Sequence, residues 1–157
     1  MTNMFSADTM TSAEMTLRLV ASVILTLLIG WDRETQRHPA GLRTHLLVAL
    51  GACAFTVGGM VTAAGNTDPL RIAAQVVTGV GFLGAGAIWK APAGRVVHGL
   101  TTAASLWIAA AIGLLAGVGA YTLATVTAIL AFGILRLRTH PGIPDDTVES
   151  FKTQGNA

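Results

Sequence analysis

The chain has 157 residues, of which 52% are hydrophobic and only 11% are charged. A soluble domain carries about 25% charged residues, so this composition excludes an ordinary soluble protein and indicates that the bilayer is its solvent. The net charge of +2 is too small, and the basic residues are too dispersed, to predict a nucleic-acid-binding protein.

Five long apolar segments predict transmembrane helices. A helix needs about 20 apolar residues to cross the hydrocarbon core, and these runs are too long and continuous for a membrane β-barrel. The predicted spans are about residues 13–31, 44–64, 69–90, 98–117 and 119–137. Only GVGA separates the last two, which indicates a tight helical hairpin. We therefore predict an all-α membrane protein: a five-helix bundle over 13–138, a short N-terminal segment over 1–12 and a short tail over 139–157.

The basic residues predict the orientation of this bundle. Eight of the ten Lys and Arg residues fall on one side of the predicted helices: Arg33, Arg37, Arg43, Lys90, Arg95, Arg136, Arg138 and Lys152. The other side has Arg18 and Arg71, each close to a span end, and the Arg18 side chain is expected to snorkel to the interface. The positive-inside rule then places the N-terminus in the periplasm and the C-terminus in the cytoplasm.

The third segment contains GVGFLGAG, which fits the glycine pattern of a dinucleotide-binding loop. That fold needs a strand before the glycines and an acid about 20 residues after them to hold the ribose. The motif instead lies inside a long apolar run, and no carboxylate occurs between Asp68 and Asp145. We therefore expect no dinucleotide.

Small residues on a membrane helix have another use, because they let helix backbones approach closely. The predicted packing residues of the third helix are Ala74, Thr78, Gly79, Gly81, Gly84, Ala85 and Gly86. They predict a smooth central helix against which the other four helices pack. A local break that exposes carbonyls to an ion is the less favoured alternative, since no proline lies between Pro69 and Pro92.

The polar residues do not form a recognisable catalytic or metal-binding pattern. No nucleophile and base are paired, the four histidines lack metal-ligand spacing, and the single cysteine excludes a multi-cysteine site. We expect a protein without enzymatic activity, cofactor or metal. On the outer side, Arg71 and Gln75 lie one turn apart on the third helix and form a candidate polar pair.

A second candidate site lies where three predicted helices meet the cytoplasm. Two interpretations remain open for it: solvated charges with helix-capping threonines, or a polar cluster that serves the function. Its residues end the first helix and begin the second and fourth: Asp32, Arg33, Glu34, Arg43, Thr44, Thr101 and Thr102.

The blocks around these residues resemble the MgtC/SapB family of bacterial inner-membrane proteins. The resemblance covers about residues 17 to 136 and rests on GWDRE, PAGLRTHLLVALGA, RIAAQVVTGVGFLGAGAI and GLTTAASLW. Three positions depart from the family pattern: Asp32 stands where Glu is common, His98 where Arg is usual, and Thr101 where virulence-type members have Asn. The C-terminal soluble domain of those members is not expected here, which suggests the shorter, SapB-like branch.

The resemblance implies a multi-pass inner-membrane protein connected with growth at low magnesium. In virulence-linked members it also implies survival inside macrophages and restraint of the ATP synthase by protein contact. We therefore expect a regulator that contacts the bilayer, further copies of itself or another inner-membrane protein. The alternative is a small oligomeric transporter or channel for an ion or small solute.

Overall fold

The computed structural model describes residues 10–62, 69–90 and 97–137, so most of the predicted N-terminal segment and the tail from 139 lie outside the described residues. Five helices form within these ranges: α1 (Ser12–Thr35), α2 (Leu42–Thr62), α3 (Pro69–Ala87), α4 (Leu100–Gly117) and α5 (Tyr121–Arg136). Between α3 and α4, the strands β1 (Trp89–Lys90) and β2 (Val97–His98) pair antiparallel, and the Trp89 and His98 rings stack with centroids 4.5 Å apart. The hairpin ends the third helix at Ala87, before the predicted end of that span at residue 90, and all five helices of the predicted bundle are present.

The bundle leaves many large apolar side chains on its outside and buries several polar side chains within a largely apolar core, an arrangement that a lipid solvent favours. On α1 the side chains of Ser22 and Thr26 are fully buried, while that of Ile24 between them is 62% exposed. Other large apolar side chains are equally exposed, including Phe55 and Phe82. A water-soluble protein rarely leaves so much apolar surface uncovered.

Three helices have the length and composition of a membrane span: α1, α2 and α4. The segments Arg71–Ala87 of α3 and Tyr121–Arg136 of α5 are also apolar but shorter. The chain is therefore a helical membrane protein.

Helix α4 is the central element, because it packs against each of the other four helices. Helix α3 packs on α4 and α2, so the prediction that the glycine-rich third helix is central is wrong. A Cβ added at Gly79, Gly81 or Gly86 would meet no atom within 4 Å, and only at Gly84 does α4 come close, through Ala103 Cβ at 3.6 Å. Ala74, Thr78 and Ala85 are likewise exposed.

The close helix contact that small residues allow lies instead between α4 and α2. Gly113 and Gly117, four residues apart on α4, face the backbone of α2. A Cβ at Gly113 would collide with the carbonyl oxygen of Ala49, and one at Gly117 would lie 2.7 Å from Thr56 Cβ. The packing rule applied to the third segment therefore operates here on the fourth helix.

A short turn joins α4 to α5, which confirms the predicted tight hairpin. Gly119 in this turn has φ of +81°, a left-handed conformation that favours glycine. The turn sets α5 antiparallel to α4, so that α5 ends at the same end of the bundle at which α1 ends and α2 and α4 begin.

Candidate functional site

A buried ion cluster lies at this end of the bundle, which we call the Asp32 end. Asp32 and Arg33 in the last turns of α1 are 1% and 2% exposed. Arg33 Nη2 donates to Asp32 Oδ2 over 2.8 Å, and Gln36 Nε2 donates to the same oxygen over 2.7 Å. Arg136 in the last turn of α5 places Nε 2.7 Å from the other oxygen, Oδ1. One carboxylate therefore connects two arginines and an amide from two helices.

The two arginines of the cluster differ in exposure, since one lies in the interior and the other at the surface. The side chain of Arg33 is 2% exposed, whereas that of Arg136 is 60% exposed and its guanidinium lies 5.1 Å from the centre of the Phe132 ring. A buried carboxylate is stable only when its charge is compensated, and the Arg33 pair supplies that compensation inside the protein. Arg136 adds a second positive charge at the rim, so the cluster carries an excess positive charge toward the surface.

A hydrogen-bond network around His45 links α2 to α4 beside this cluster. His45 is fully buried, with Nδ1 2.8 Å from the Gly41 carbonyl oxygen and Nε2 2.9 Å from Ser105 Oγ. A carbonyl only accepts, so Nδ1 carries a proton. Ser105 Oγ also lies 2.8 Å from the Thr102 carbonyl oxygen. When the ring is neutral, Nε2 and this carbonyl compete for the single hydroxyl proton of Ser105.

The loop from α1 to α2 is held by Glu34. Its carboxylate accepts a hydrogen bond of 2.9 Å from the backbone N–H of Leu42, the first residue of α2. Negative charge at a helix N-terminus is favourable because the free N–H groups there carry partial positive charge. In the same loop, burial lowers the pKa of His38 below its ordinary value of 6.5, and the Arg33 guanidinium adds to the effect.

The structure brings together only part of the predicted cytoplasmic cluster. Asp32 and Arg33 form its buried core, and the side chain of Thr102 is buried in the first turn of α4. Glu34, in contrast, is exposed and caps α2. The remaining predicted members are exposed and make no hydrogen bond or ion pair with a described residue through their side chains: Arg43, Thr44 and Thr101.

Sequence reasoning missed four members of this site: Gln36, His45, Ser105 and Arg136. By sequence, His45 is only one of four histidines without metal-ligand spacing, and Arg136 is only one of the basic residues that predict orientation. A signal was present for Ser105, since it lies three residues after Thr102, on the same face of α4. No local pattern indicates Arg136, because its partner lies about a hundred positions earlier in the chain.

The opposite end of the bundle contains a second buried arginine, Arg18, so the prediction that this side chain snorkels is wrong. Arg18 is 6% exposed and donates through Nη1 to the Gly117 carbonyl oxygen over 2.6 Å. Its Nη2 pairs with Glu14, and Met60 Sδ lies 3.8 Å from Nη1. A cation at the last carbonyls of α4 is favoured by the helix dipole. The arginine thus ties the start of α1 to the end of α4.

The predicted outer pair, Arg71 and Gln75, is exposed and lines a groove between α2 and α3. It makes no contact with the Asp32 end, which lies at the other end of α3. Thr44 of the predicted cytoplasmic cluster lines the same groove, so residues of the two candidate polar sites lie at opposite ends of it.

The chemistry available to these sites is that of fixed charges and hydrogen bonds. The described part of the chain has no group of three or more His, Cys, Asp or Glu side chains placed to hold a metal ion. Its acids are Glu14, Asp32 and Glu34, which lie near the two ends of α1. The Asp32 end is suited to holding helix ends in place and presenting positive charge.

Comparisons with known proteins give the family. The model of the MgtC family matches residues 19–141. Protein MgtC of Salmonella typhimurium strain LT2 is 47% identical over 121 residues, which are 76% of this chain and 51% of that protein. Protein MgtC of Brucella suis biovar 1 is 44% identical over 116 residues, which are 74% of this chain and 48% of that protein.

The chain spans about half the length of these curated relatives. No solved structure matches it. The match to the family model extends from the first helix to beyond the last and includes the residues of the Asp32 end. The chain belongs to the MgtC family.

Proposed function

We propose that this protein is a non-enzymatic, five-span protein of the bacterial inner membrane that supports growth at limiting magnesium by contacting other membrane proteins. The contact surface is the rim of the Asp32 end, which faces the cytoplasm. Partners include further copies of the chain or a second inner-membrane protein, of which the ATP synthase is one by family resemblance.

The observation that carries the proposal is that the Asp32 end has a buried ion pair, Asp32 with Arg33, and an exposed cationic rim, Arg43 and Arg136. Asp32 and Arg33, which are neighbours on α1, pair with each other inside the bundle, and Asp32 also pairs with Arg136, so this carboxylate joins the ends of α1 and α5. Arg136 on α5 and Arg43 on α2 remain exposed at this end, and the start of α2 is held to α1 by the Glu34 carboxylate at Leu42 N–H. Arginines held on rigid elements suit recognition of an acidic partner surface, since less side-chain freedom is lost on binding.

The hydroxyls inside the bundle argue against the alternative of a transporter. Ser22 and Thr26 on α1 and Thr56 on α2 are buried at mid-helix, but each donates to a carbonyl of its own helix, over 2.7 to 2.8 Å. Mg²⁺ is normally bound by carboxylates and water. Within the described residues, no acid lies between Glu14 and Asp32 along α1, and α2 to α5 contain none.

The proposed orientation is tested with reporter fusions. Fusions after Arg37, Arg95 and Lys152 should report the cytoplasm, and fusions near Asn66 and Gly119 the periplasm. A fusion near Asp8 should also report the periplasm. A periplasmic C-terminus would contradict five spans.

Arg43→Ala tests the contact surface. Because Arg43 is exposed and unpaired among the described residues, the variant should insert and fold normally, with a cost of about 0–1 kcal/mol. It should nevertheless fail to restore growth at low magnesium to a strain that lacks the gene, at wild-type protein level. Lys90→Ala, which removes another exposed cation at the same end, should restore growth.

Flux measurements separate the contact protein from the transporter. The wild-type protein in sealed liposomes should pass no more Mg²⁺ than empty vesicles. Saturable Mg²⁺ flux that Arg43→Ala reduces would overturn the proposal in favour of transport. Normal growth with Arg43→Ala would exclude this residue from the contact surface.

A further inference from the structure

A groove of about 1000 Å³ runs along the outside of the bundle between α2 and α3. The helices touch near one end, where a Cβ at Gly59 would collide with the Ile72 side chain. Further along, Val80 of α3 packs in one cluster with Ala52 of α2 and Ala110 of α4, and Ala52 and Val80 line the groove. The walls are mostly apolar and include Val48, Gly51, Phe55, Val76, Gly79 and Leu83.

Two glycines keep this groove open. Gly51 on α2 and Gly79 on α3 both line it, and a Cβ at either position would meet no atom within 4 Å. Larger side chains fit here without disturbing the protein and would occupy the groove. In a soluble protein such a cavity would hold a drug-sized molecule, but this one opens on the apolar outer surface of a membrane protein.

Polar groups occur near one end of the groove. Arg71 and Gln75 line it in the first turns of α3, close to the contact between Gly59 and Ile72. From Arg71 to Leu83 the groove follows α3 for about 18 Å at 1.5 Å per residue. That length exceeds one leaflet, which is half of the roughly 30 Å hydrocarbon core. Arg71 and Gln75 thus lie at the interface, at one end of an apolar groove that reaches the middle of the bilayer.

We propose that this groove binds one anionic phospholipid, with its phosphate at Arg71 and Gln75 and an acyl chain lying over Gly51 and Gly79. The guanidinium and the amide donate to phosphate oxygens, as an arginine at a membrane interface does with anionic lipids. Against the apolar walls, one held acyl chain takes the place of bulk lipid chains, and the form of the groove determines which chain fits. The groove shares α2 with the proposed contact surface, but neither Arg43 nor Arg136 lines it, so the two sites can be tested separately.

Native mass spectrometry of the purified protein in a mild detergent tests this assignment. Phosphatidylglycerol and phosphatidylcholine with identical acyl chains are the two probes. We expect one tightly bound phosphatidylglycerol per chain and weaker binding of phosphatidylcholine. Arg71→Gln should weaken phosphatidylglycerol binding about fivefold, which corresponds to about 1 kcal/mol for one arginine near the membrane surface. Lys90→Gln should have no effect.

A second experiment fills the groove with a larger side chain and measures lipid binding. Gly79→Leu should abolish binding of both lipids, whereas Gly81→Leu, on the same helix and with equally open space, should leave it unchanged. Both variants should retain the helical circular dichroism of the wild type, because leucine is a better helix former than glycine.

Three results would overturn the proposal. The first is wild-type lipid binding by Gly79→Leu. The second is displacement of the lipid by millimolar inorganic phosphate, which would identify a phosphate site. The third is a change in oligomeric state with Gly79→Leu while the number of bound lipids stays constant, which would make the groove a protein interface.

Discussion

Asp32 Oδ1 lies 2.7 Å from Arg136 Nε, so a single carboxylate joins the last turn of α5 to the last turns of α1. The same carboxylate is paired with Arg33 through its other oxygen. The two arginines differ in their surroundings, since one is inside the bundle and the other is largely exposed. Their contributions to stability should differ accordingly.

Asp32→Asn should destabilise the protein by about 3–5 kcal/mol, because it leaves the charge of Arg33 buried without compensation. Unfolding in a mild detergent, followed by circular dichroism, measures this loss. Arg136→Gln is the matched control and should cost about 0–1 kcal/mol, as for an exposed ion pair. Equal losses of unfolding free energy in the two variants would contradict the distinction between the buried ion pair and the exposed rim.

Gly113→Ala should destabilise the bundle by at least 1–3 kcal/mol, because the added methyl group collides with the backbone of α2 at Ala49. Gly81→Ala adds the same methyl group in open space and should be neutral or stabilising. The same unfolding assay compares them. A larger loss at Gly81 than at Gly113 would return the central packing role to α3.

The bond between His45 and Ser105 should contribute to stability as a pair. Ser105→Ala leaves Nε2 of the buried His45 without its partner, at a cost of about 1–3 kcal/mol. His45→Leu removes the same bond from the other side, while Ser105 keeps its bond to the Thr102 carbonyl. In a double-mutant cycle, the combined variant should lose less than the sum of the single losses, by roughly 0.5–3 kcal/mol. Strict additivity would mean that the two side chains do not interact.

Acidification should destabilise the protein through His38. The pKa of His38 is lower in the folded protein than its ordinary value of 6.5, so the unfolded chain binds the proton more readily. The contribution of this group is complete well above pH 6.5 and is lost as the pH falls through 6.5 toward the folded pKa. The free energy of unfolding, measured between pH 8 and pH 5, should depend less on pH in His38→Gln. An unchanged pH dependence in this variant would contradict the assignment.

The number of helices and their approximate bounds could be predicted from the sequence, because hydrophobicity and turn residues are local properties. The five apolar runs became α1 to α5, and the GVGA turn falls where glycine permits a left-handed backbone. The sequence also indicated Asp32 and Arg33, the buried core of the predicted cytoplasmic cluster, because charged residues at the end of an apolar helix are a local feature.

The tertiary structure alone decided which helix is central and which charges are buried. Both Gly81 and Gly113 lie in small-residue runs, yet only Gly113 meets another backbone. Arg18 and Arg71 both lie near span ends, yet Arg18 is buried against Gly117 and Arg71 is exposed. The physical reason is that helices apolar on all sides carry little information about which face packs. Close contact and burial depend on partners that are distant in the chain, such as Arg136 for Asp32.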